Sequence, residues 1–85
     1  MSDADILAVI REELARLAPE IAFEALEPTR DLRDQVDLDS MDFLNLLTAL
    51  HQRLGVEIPD AEAAKLSSLQ SLVAYLARRG AAARP

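Results

Sequence analysis

Few side chains of this 85-residue chain could take part in covalent chemistry, because it has one histidine and no cysteine. His51 would act as a base only beside a nucleophile or a carboxylate partner. Ser40 lies eleven residues earlier on nearly the same helical azimuth, which places it about 16 Å away along the helix axis. That separation excludes a Ser–His pair, and two glycines are too few for a glycine-rich phosphate loop. The sequence therefore gives little support to an enzyme.

Acidic side chains are concentrated between residues 20 and 42. This stretch holds eight acids and two bases, so it carries the whole net charge of −6. The acids are Glu20, Glu24, Glu27, Asp31, Asp34, Asp37, Asp39 and Asp42. Their spacing does not match a twelve-residue calcium loop, so we expect loose counterion binding and no metal site. Two interpretations stay open, a solvated acidic loop and a docking surface for basic partner proteins.

The composition narrows the possible partners and the compartment. A net charge of −6 and a pI near 4.6 disfavour binding to nucleic acid or to an anionic membrane surface. No apolar run approaches the roughly 20 residues that span a bilayer, and the first residues are too acidic for a targeting peptide. Without cysteine there is no disulfide framework, so we expect a cytoplasmic protein. A monomer is expected, because no spare apolar stripe is evident.

Apolar periodicity predicts an all-α fold. Three main helices are expected at about 3–17, 40–54 and 68–79, with one short helix at about 60–65. Fifteen Leu and fifteen Ala against eight Val and Ile favour helices over a sheet. None of the helices can bury its apolar stripe alone, so a small bundle is expected. We expect one domain over residues 1–80 and a disordered tail at 81–85.

A long first loop of about 22 residues should connect the first two main helices. Because structureless loops of that length are uncommon in compact domains, it should be pinned to the core or carry short helical turns. Pro19 should stop the first helix, and Gly55 should end the second in the C′ position. The expected N-caps are Ser2 for the first helix, Asp39 or Ser40 for the second, Asp60 for the short one, and Ser67 or Ser68 for the last.

The second main helix should present one apolar side to the core. At 100° per residue, five of its apolar residues gather on that side. They are Phe43, Leu46, Leu47, Leu50 and Leu54. Met41 falls roughly opposite, so it is predicted to be exposed immediately beside Ser40.

The segment from Asp37 to Asp42, which reads Asp-Leu-Asp-Ser-Met-Asp, joins the acidic stretch to this helix. Here the sequence resembles the acyl carrier proteins, including the carrier domains of polyketide assembly lines. The resemblance continues through Leu-Gly-Val-Glu-Ile-Pro-Asp at 54–60, Lys65-Leu66 and Ser68-Leu69, and it covers nearly the whole chain. It implies that Ser40 receives a covalent 4′-phosphopantetheine from a separate phosphopantetheinyl transferase. A helix N-terminus suits the resulting phosphodiester anion, and the arm would supply the only thiol.

The resemblance also implies which residues contact partner enzymes. Asp39 matches the aspartate before the attachment serine, and Met41 the hydrophobic residue after it. Leu44 matches a second contact position, although core packing is an equal alternative for it. With Asp37 and Asp42, these residues would meet acyl-loading and acyl-transferring enzymes that carry basic docking patches.

This sequence departs from the fatty-acid carriers along the exposed side of the second main helix. Asn45 and the stretch 51–53, His-Gln-Arg, stand where acids are usual, and Thr48 replaces an apolar contact. We therefore expect a specialised carrier with dedicated partners rather than the general carrier of fatty-acid synthesis. The resemblance implies that these partners are enzymes of fatty-acid, lipid or polyketide synthesis. Two alternatives stay open: a D-alanyl or other aminoacyl carrier, and an acidic interaction module without cofactor in which Ser40 only caps a helix.

Overall fold

The computed structural model describes residues 2–79 as a bundle of helices. The helices are α1 (Asp3–Leu17), α2 (Leu32–Gln35), α3 (Ser40–Leu54), α4 (Asp60–Ala63) and α5 (Leu69–Arg78), with a 3₁₀ turn at Phe23–Ala25. Three long helices and a short fourth confirm the predicted all-α fold, and α2 and the 3₁₀ turn are the helical turns expected in the first loop. The predicted tail at 81–85 lies outside the described residues. Within the described part, no helix is both long and apolar enough to cross a bilayer.

The core lies where α1 packs against α3 and α5. All five residues predicted for the core side of α3 are buried. They meet the stripe of α1, in which Ile6, Ile10 and Leu14 are completely buried, and that of α5. The mutual burial of these stripes holds the bundle together, because each helix alone would leave its stripe in water.

Backbone hydrogen bonds fix the first loop to the start of α5. The N–H of Leu32 donates to the carbonyl of Ser67 at 2.7 Å, and the N–H of Gln70 donates to that of Pro28 at 2.9 Å. The side chain of Leu32 is fully buried. These hydrogen bonds and the buried side chain of Leu32 therefore fix α2 to the core and to the start of α5.

The helix ends follow most of the predicted signals. Ser2 and Ser68 each accept a backbone N–H as N-caps, and Gly55 ends α3 with φ of 70°, a left-handed conformation that glycine adopts without strain. The prediction for the short helix was wrong in two details. Pro59 occupies the N-cap position in place of Asp60, and α4 ends at Ala63 rather than at residue 65. Proline fits there because its fixed φ suits a helix start and a missing N–H costs nothing.

One buried charge links α1 to α3. Glu13, whose side chain is 7% exposed, accepts a hydrogen bond from Nη1 of Arg53 at 3.0 Å. The same nitrogen lies 2.7 Å from a carboxylate oxygen of the exposed Glu12. These two carboxylates, Glu12 before Glu13, raise the pKa of Arg53. The contact therefore compensates a carboxylate that would otherwise be buried without a partner.

Candidate functional site

The N-terminus of α3 is capped by the residue before Ser40. An oxygen of Asp39 accepts the backbone N–H of Asp42 at 2.8 Å, and Asp42 in turn accepts the N–H of Asp39 at 3.4 Å. The two residues form a reciprocal capping box, and Ser40 is the first residue of the helix. Of the two caps left open by the sequence, the structure selects Asp39, so the alternative in which Ser40 caps this helix is wrong.

Ser40 differs from the two serines that cap helices. The hydroxyl of Ser2 accepts the N–H of Asp5 at 3.2 Å, and that of Ser68 accepts the N–H of Ser71 at 3.1 Å. Both hydroxyls thus cap the helix that follows them, α1 for Ser2 and α5 for Ser68. Ser40 is exposed, and Asp39 performs that task for α3. Its hydroxyl therefore stands at the surface without a structural role in the cap.

Two large apolar side chains next to Ser40 face solvent. Met41 is 64% exposed and Leu44 is 46% exposed, and they are the only large hydrophobic residues exposed among residues 2–79. The predicted exposure of Met41 is confirmed. For Leu44, the structure decides against the core alternative. Exposed apolar side chains at one place on a surface are typical of a contact site.

Leu44 also begins a groove that runs along α3. The groove has a volume of about 390 Å³ and lies between α3 and the segment 57–63. Its lining residues are Leu44, Leu47, Thr48, His51, Glu57, Ile58, Pro59, Asp60 and Ala63. Because Leu44 follows Ser40 by one helical turn, the groove starts about 6 Å from Ser40 along the axis. Helical periodicity could have indicated the α3 wall, whereas tertiary packing alone brings the other wall into place.

The predicted acidic contacts do not all lie together. Asp39 and Asp42 are joined in the capping box. Asp37 is exposed but lines a different hollow, with Glu20, Ile21 and Arg30 among its neighbours. Between Asp37 and Asp39, Leu38 is 7% exposed and anchors the loop in the core. The structure therefore places Asp39, Met41, Asp42 and Leu44 around Ser40 at the start of α3, and Asp37 beside a different hollow.

Arg33 brings a positive charge to this acidic region. Its guanidinium carbon lies 5.4 Å from the ring centre of Phe43 in α3, a cation–π contact. The side chain also reaches Asp31, with Nε and Nη2 each 3.4 Å from a carboxylate oxygen. The backbone N–H of Arg33, followed by its side chain, lowers the pKa of Asp31. In the sequence, Arg33 is only one of the two bases of the acidic stretch, and nothing local indicates its contact with α3.

His51 lies far along α3 from Ser40. Its Nδ1 is 2.9 Å from the carbonyl oxygen of Val56, across the C-terminal end of the helix. The two residues are separated by eleven positions in one continuous α-helix, so a Ser–His pair is excluded as predicted. Among the described residues, no group of three or more His, Asp and Glu side chains is placed to hold a metal ion.

The start of α3 fits a covalently attached group. The hydroxyl of Ser40 lies at an exposed helix start, and the exposed apolar side chains of Met41 and Leu44 lie beside it. The groove that begins at Leu44 lies one helical turn further along α3. Ser40 needs no internal base if the attaching enzyme provides one.

Comparison with known proteins identifies the kind of group. Residues 4–76 match the sequence profile of the family described as "Phosphopantetheine attachment site". The chain is 39% identical over 72 residues to the acyl carrier protein of Helicobacter acinonychis (strain Sheeba), with 85% of this chain and 86% of the relative aligned. It is 40% identical over 72 residues to that of Helicobacter pylori (strain G27), with the same coverage of each chain. A third acyl carrier protein, from Streptomyces coelicolor, is 29% identical over 80 residues, which are 94% of this chain and 87% of the relative.

Proposed function

Because the chain belongs to the phosphopantetheine-attachment family and is an acyl carrier protein, we propose that Ser40 is the residue that carries the 4′-phosphopantetheine arm. Proteins of this family are carriers rather than enzymes, and they work by contact with enzymes. The proposal extends to the cargo, which is an acyl group held as a thioester and passed between enzymes of fatty-acid, lipid or polyketide synthesis. The cytoplasm is the proposed compartment, as the acidic, cysteine-free composition favours.

The observation that carries this proposal is the free hydroxyl at the start of α3. Within residues 2–79, three serines stand at helix starts, and Ser2 and Ser68 use their hydroxyls as caps. Ser40 is exposed, and the cap of its helix is the carboxylate of Asp39. Of these three hydroxyls, that of Ser40 is the one that can be esterified without the loss of a helix cap.

The attachment is a phosphoryl transfer in which Ser40 is the nucleophile. Its Oγ attacks the phosphorus on the pantetheine side of the pyrophosphate of coenzyme A, and a new P–O bond forms. The bond to adenosine 3′,5′-bisphosphate breaks, and the proton of the hydroxyl leaves to a base. We assign that base to a phosphopantetheinyl transferase, because Asp39 and Asp42 hold each other in the capping box. When bound, the arm supplies the thiol on which acyl groups are carried.

The proposed partners are this transferase and enzymes that load or remove acyl groups. Their contact surface would combine the exposed Met41 and Leu44 with the carboxylates of Asp39 and Asp42. Asp37 would extend the same surface at its edge. An apolar centre with a charged surround is the usual arrangement of a specific contact, and the negative charge favours partners with basic patches.

We propose that the groove beside Leu44 receives the beginning of the acyl chain. Leu47, Ile58 and Ala63 give it apolar walls, whereas Thr48, His51, Glu57 and Asp60 give it polar ones. The relatives are named acyl carrier proteins, which favours an acyl cargo over the aminoacyl alternative. Nuclear magnetic resonance can test the groove: attachment of a hexanoyl arm should shift the signals of Leu47 and Ile58, and an alanyl arm should shift them less.

A thiol titration tests the function as a whole, because the chain has no cysteine of its own. After incubation with coenzyme A and a broad-specificity transferase, and removal of small molecules, the protein should react with one maleimide per chain. Prior acylation should block this reaction, and hydroxylamine should restore it by cleaving the thioester. Ser68→Ala should behave like the wild type, whereas Ser40→Ala should give no thiol. A folded wild-type chain that gains no thiol with several transferases would refute the proposed function.

A further inference from the structure

We propose that Arg33 is a positioning residue for the arm, and that its guanidinium balances the charge of the phosphodiester on Ser40. This inference rests on the proposed attachment at Ser40. It adds a residue from α2, outside the Asp-Ser-Met segment, to the site at which the arm leaves the protein.

The contact with Phe43 places Arg33 at the correct end of α3. Phe43 follows Ser40 by three residues, so its Cα lies about 4.5 Å further along the helix axis. Side chains in a helix lean toward its N-terminus, so the ring of Phe43 covers the turn that contains Ser40. The guanidinium carbon of Arg33 lies 5.4 Å from the centre of that ring. Arg33 is therefore held beside the first turn of α3, within reach of a group that projects from Ser40.

The negative charges around Ser40 would be stabilised by a nearby cation. Residues 31–42 contain five aspartates, and Arg33 is their only base. A phosphodiester would add another negative charge at the same place. The positive end of the α3 dipole already faces the carboxylates of Asp39 and Asp42. Their negative charges offset part of the attraction of the helix end for an added anion. Among residues 31–42, Arg33 is thus the one cation that could reduce the repulsion.

Arg33 is also loosely held by its present carboxylate partner. Both contacts of its guanidinium with Asp31 measure 3.4 Å, which is long beside the roughly 2.7–2.9 Å of strong charge-assisted hydrogen bonds. By contrast, Arg30 binds Glu27 at 2.7 Å. The side chain of Arg33 is 45% exposed. It can therefore turn toward a phosphate without breaking a short ion pair.

The test compares melting temperatures of the same variant with and without the arm. Arg33→Gln removes the proposed cation, and Arg30→Gln is the matched control in the same acidic stretch. At low salt, attachment should lower the melting temperature of Arg33→Gln by about 2–5 °C more than that of the wild type or of Arg30→Gln. In about 1 M salt, where charges are screened within about 3 Å, the difference should disappear. If the role of Arg33 were purely structural, Arg33→Gln would lower the melting temperature equally with and without the arm. That result would overturn the proposal.

A second measurement needs no variant and is independent of how well Arg33→Gln folds. In wild-type protein, the Nε–Hε resonance of Arg33 should shift when the arm is attached, and that of Arg30 should not. Equal shifts, or none at Arg33, would overturn the proposal. Mass spectrometry of the same samples distinguishes a failure of the Arg33 proposal from a failure of attachment at Ser40. The proposed function fails only if no phosphopantetheine is found on Ser40.

Discussion

Asp39 caps α3 and thereby leaves Ser40 free, since the carboxylate of Asp39 accepts the N–H of Asp42 at 2.8 Å and Ser40 is the first helical residue. Asp39 therefore caps the helix and Ser40 presents a free hydroxyl, two roles that one serine could not perform together. A serine that caps its helix would lose the cap's geometry when a phosphodiester is built on its oxygen. Here the cap of α3 does not use the hydroxyl of Ser40.

This division predicts opposite effects of two adjacent substitutions. Asp39→Ala should lower the free energy of unfolding by about 0.5–2 kcal/mol, because it removes the N-cap. Ser40→Ala should change it by less than about 0.5 kcal/mol, because the exposed hydroxyl stabilises nothing. Urea unfolding of both variants in the form without the arm measures the difference. A larger loss in Ser40→Ala than in Asp39→Ala would contradict the assignment of the cap.

Met41 should matter for partner binding and not for folding. Because it is 64% exposed beside Ser40, Met41→Ala should leave stability nearly unchanged and lower kcat/KM of the transferase about tenfold, the effect of losing an apolar contact worth about 1.4 kcal/mol. Gln52→Ala, at an exposed position near the far end of α3, is the control and should leave kcat/KM unchanged. Equal rates for the two variants would show that the transferase does not contact Met41.

The two carboxylates that meet Arg53 should differ in their effect on stability. Glu13 is 7% exposed and Glu12 is 61% exposed, although both bind the same nitrogen. Glu13→Gln should therefore cost about 1–2 kcal/mol, because it weakens a largely buried hydrogen bond. Glu12→Gln should cost less than about 0.5 kcal/mol, as for other exposed ion pairs. Denaturant unfolding compares them, and a larger effect at Glu12 would contradict the burial of Glu13.

Asp31 should contribute to loss of stability in acid. Its pKa lies below the ordinary 3.8 because the backbone N–H and then the side chain of Arg33 bind its carboxylate. A group with a lowered folded pKa stabilises the protein fully above its unfolded pKa, and this contribution disappears as the pH falls through the folded value. Asp31→Asn should therefore flatten the decline of the unfolding midpoint below pH 3.8. Thermal unfolding between pH 5 and 2 measures this, and an unchanged slope would contradict it.

Helical periodicity and local signals predicted the three long helices, because each depends on residues three or four positions apart. The core side of α3 and the exposure of Met41 follow from the same geometry. At Asp60 the local rule failed, because an acidic residue after proline reads as a cap although Pro59 itself occupies that position. For the start of α3 the sequence left two caps open, since Asp39 and Ser40 both have a suitable oxygen.

The features that sequence analysis missed all depend on contacts between distant segments. The groove needs the segment 57–63 to pack beside α3. Arg53 reaches Glu13 over 40 positions. Arg33 meets Phe43, and its neighbour Leu32 is buried in the core and bonded to Ser67. Such pairings have no periodic signal within one element, so they emerge only when the bundle is assembled.

Fragmentation of the modified chain in a mass spectrometer tests the central claim most directly. Wild-type protein, Ser40→Ala and Ser68→Ala would each be incubated with coenzyme A and a transferase, and the intact mass and the modified residue determined. We predict one phosphopantetheine per chain on Ser40 in the wild type and in Ser68→Ala, and none on Ser40→Ala. Modification of another serine, or an unchanged gain in Ser40→Ala, would contradict the assignment of the arm to Ser40.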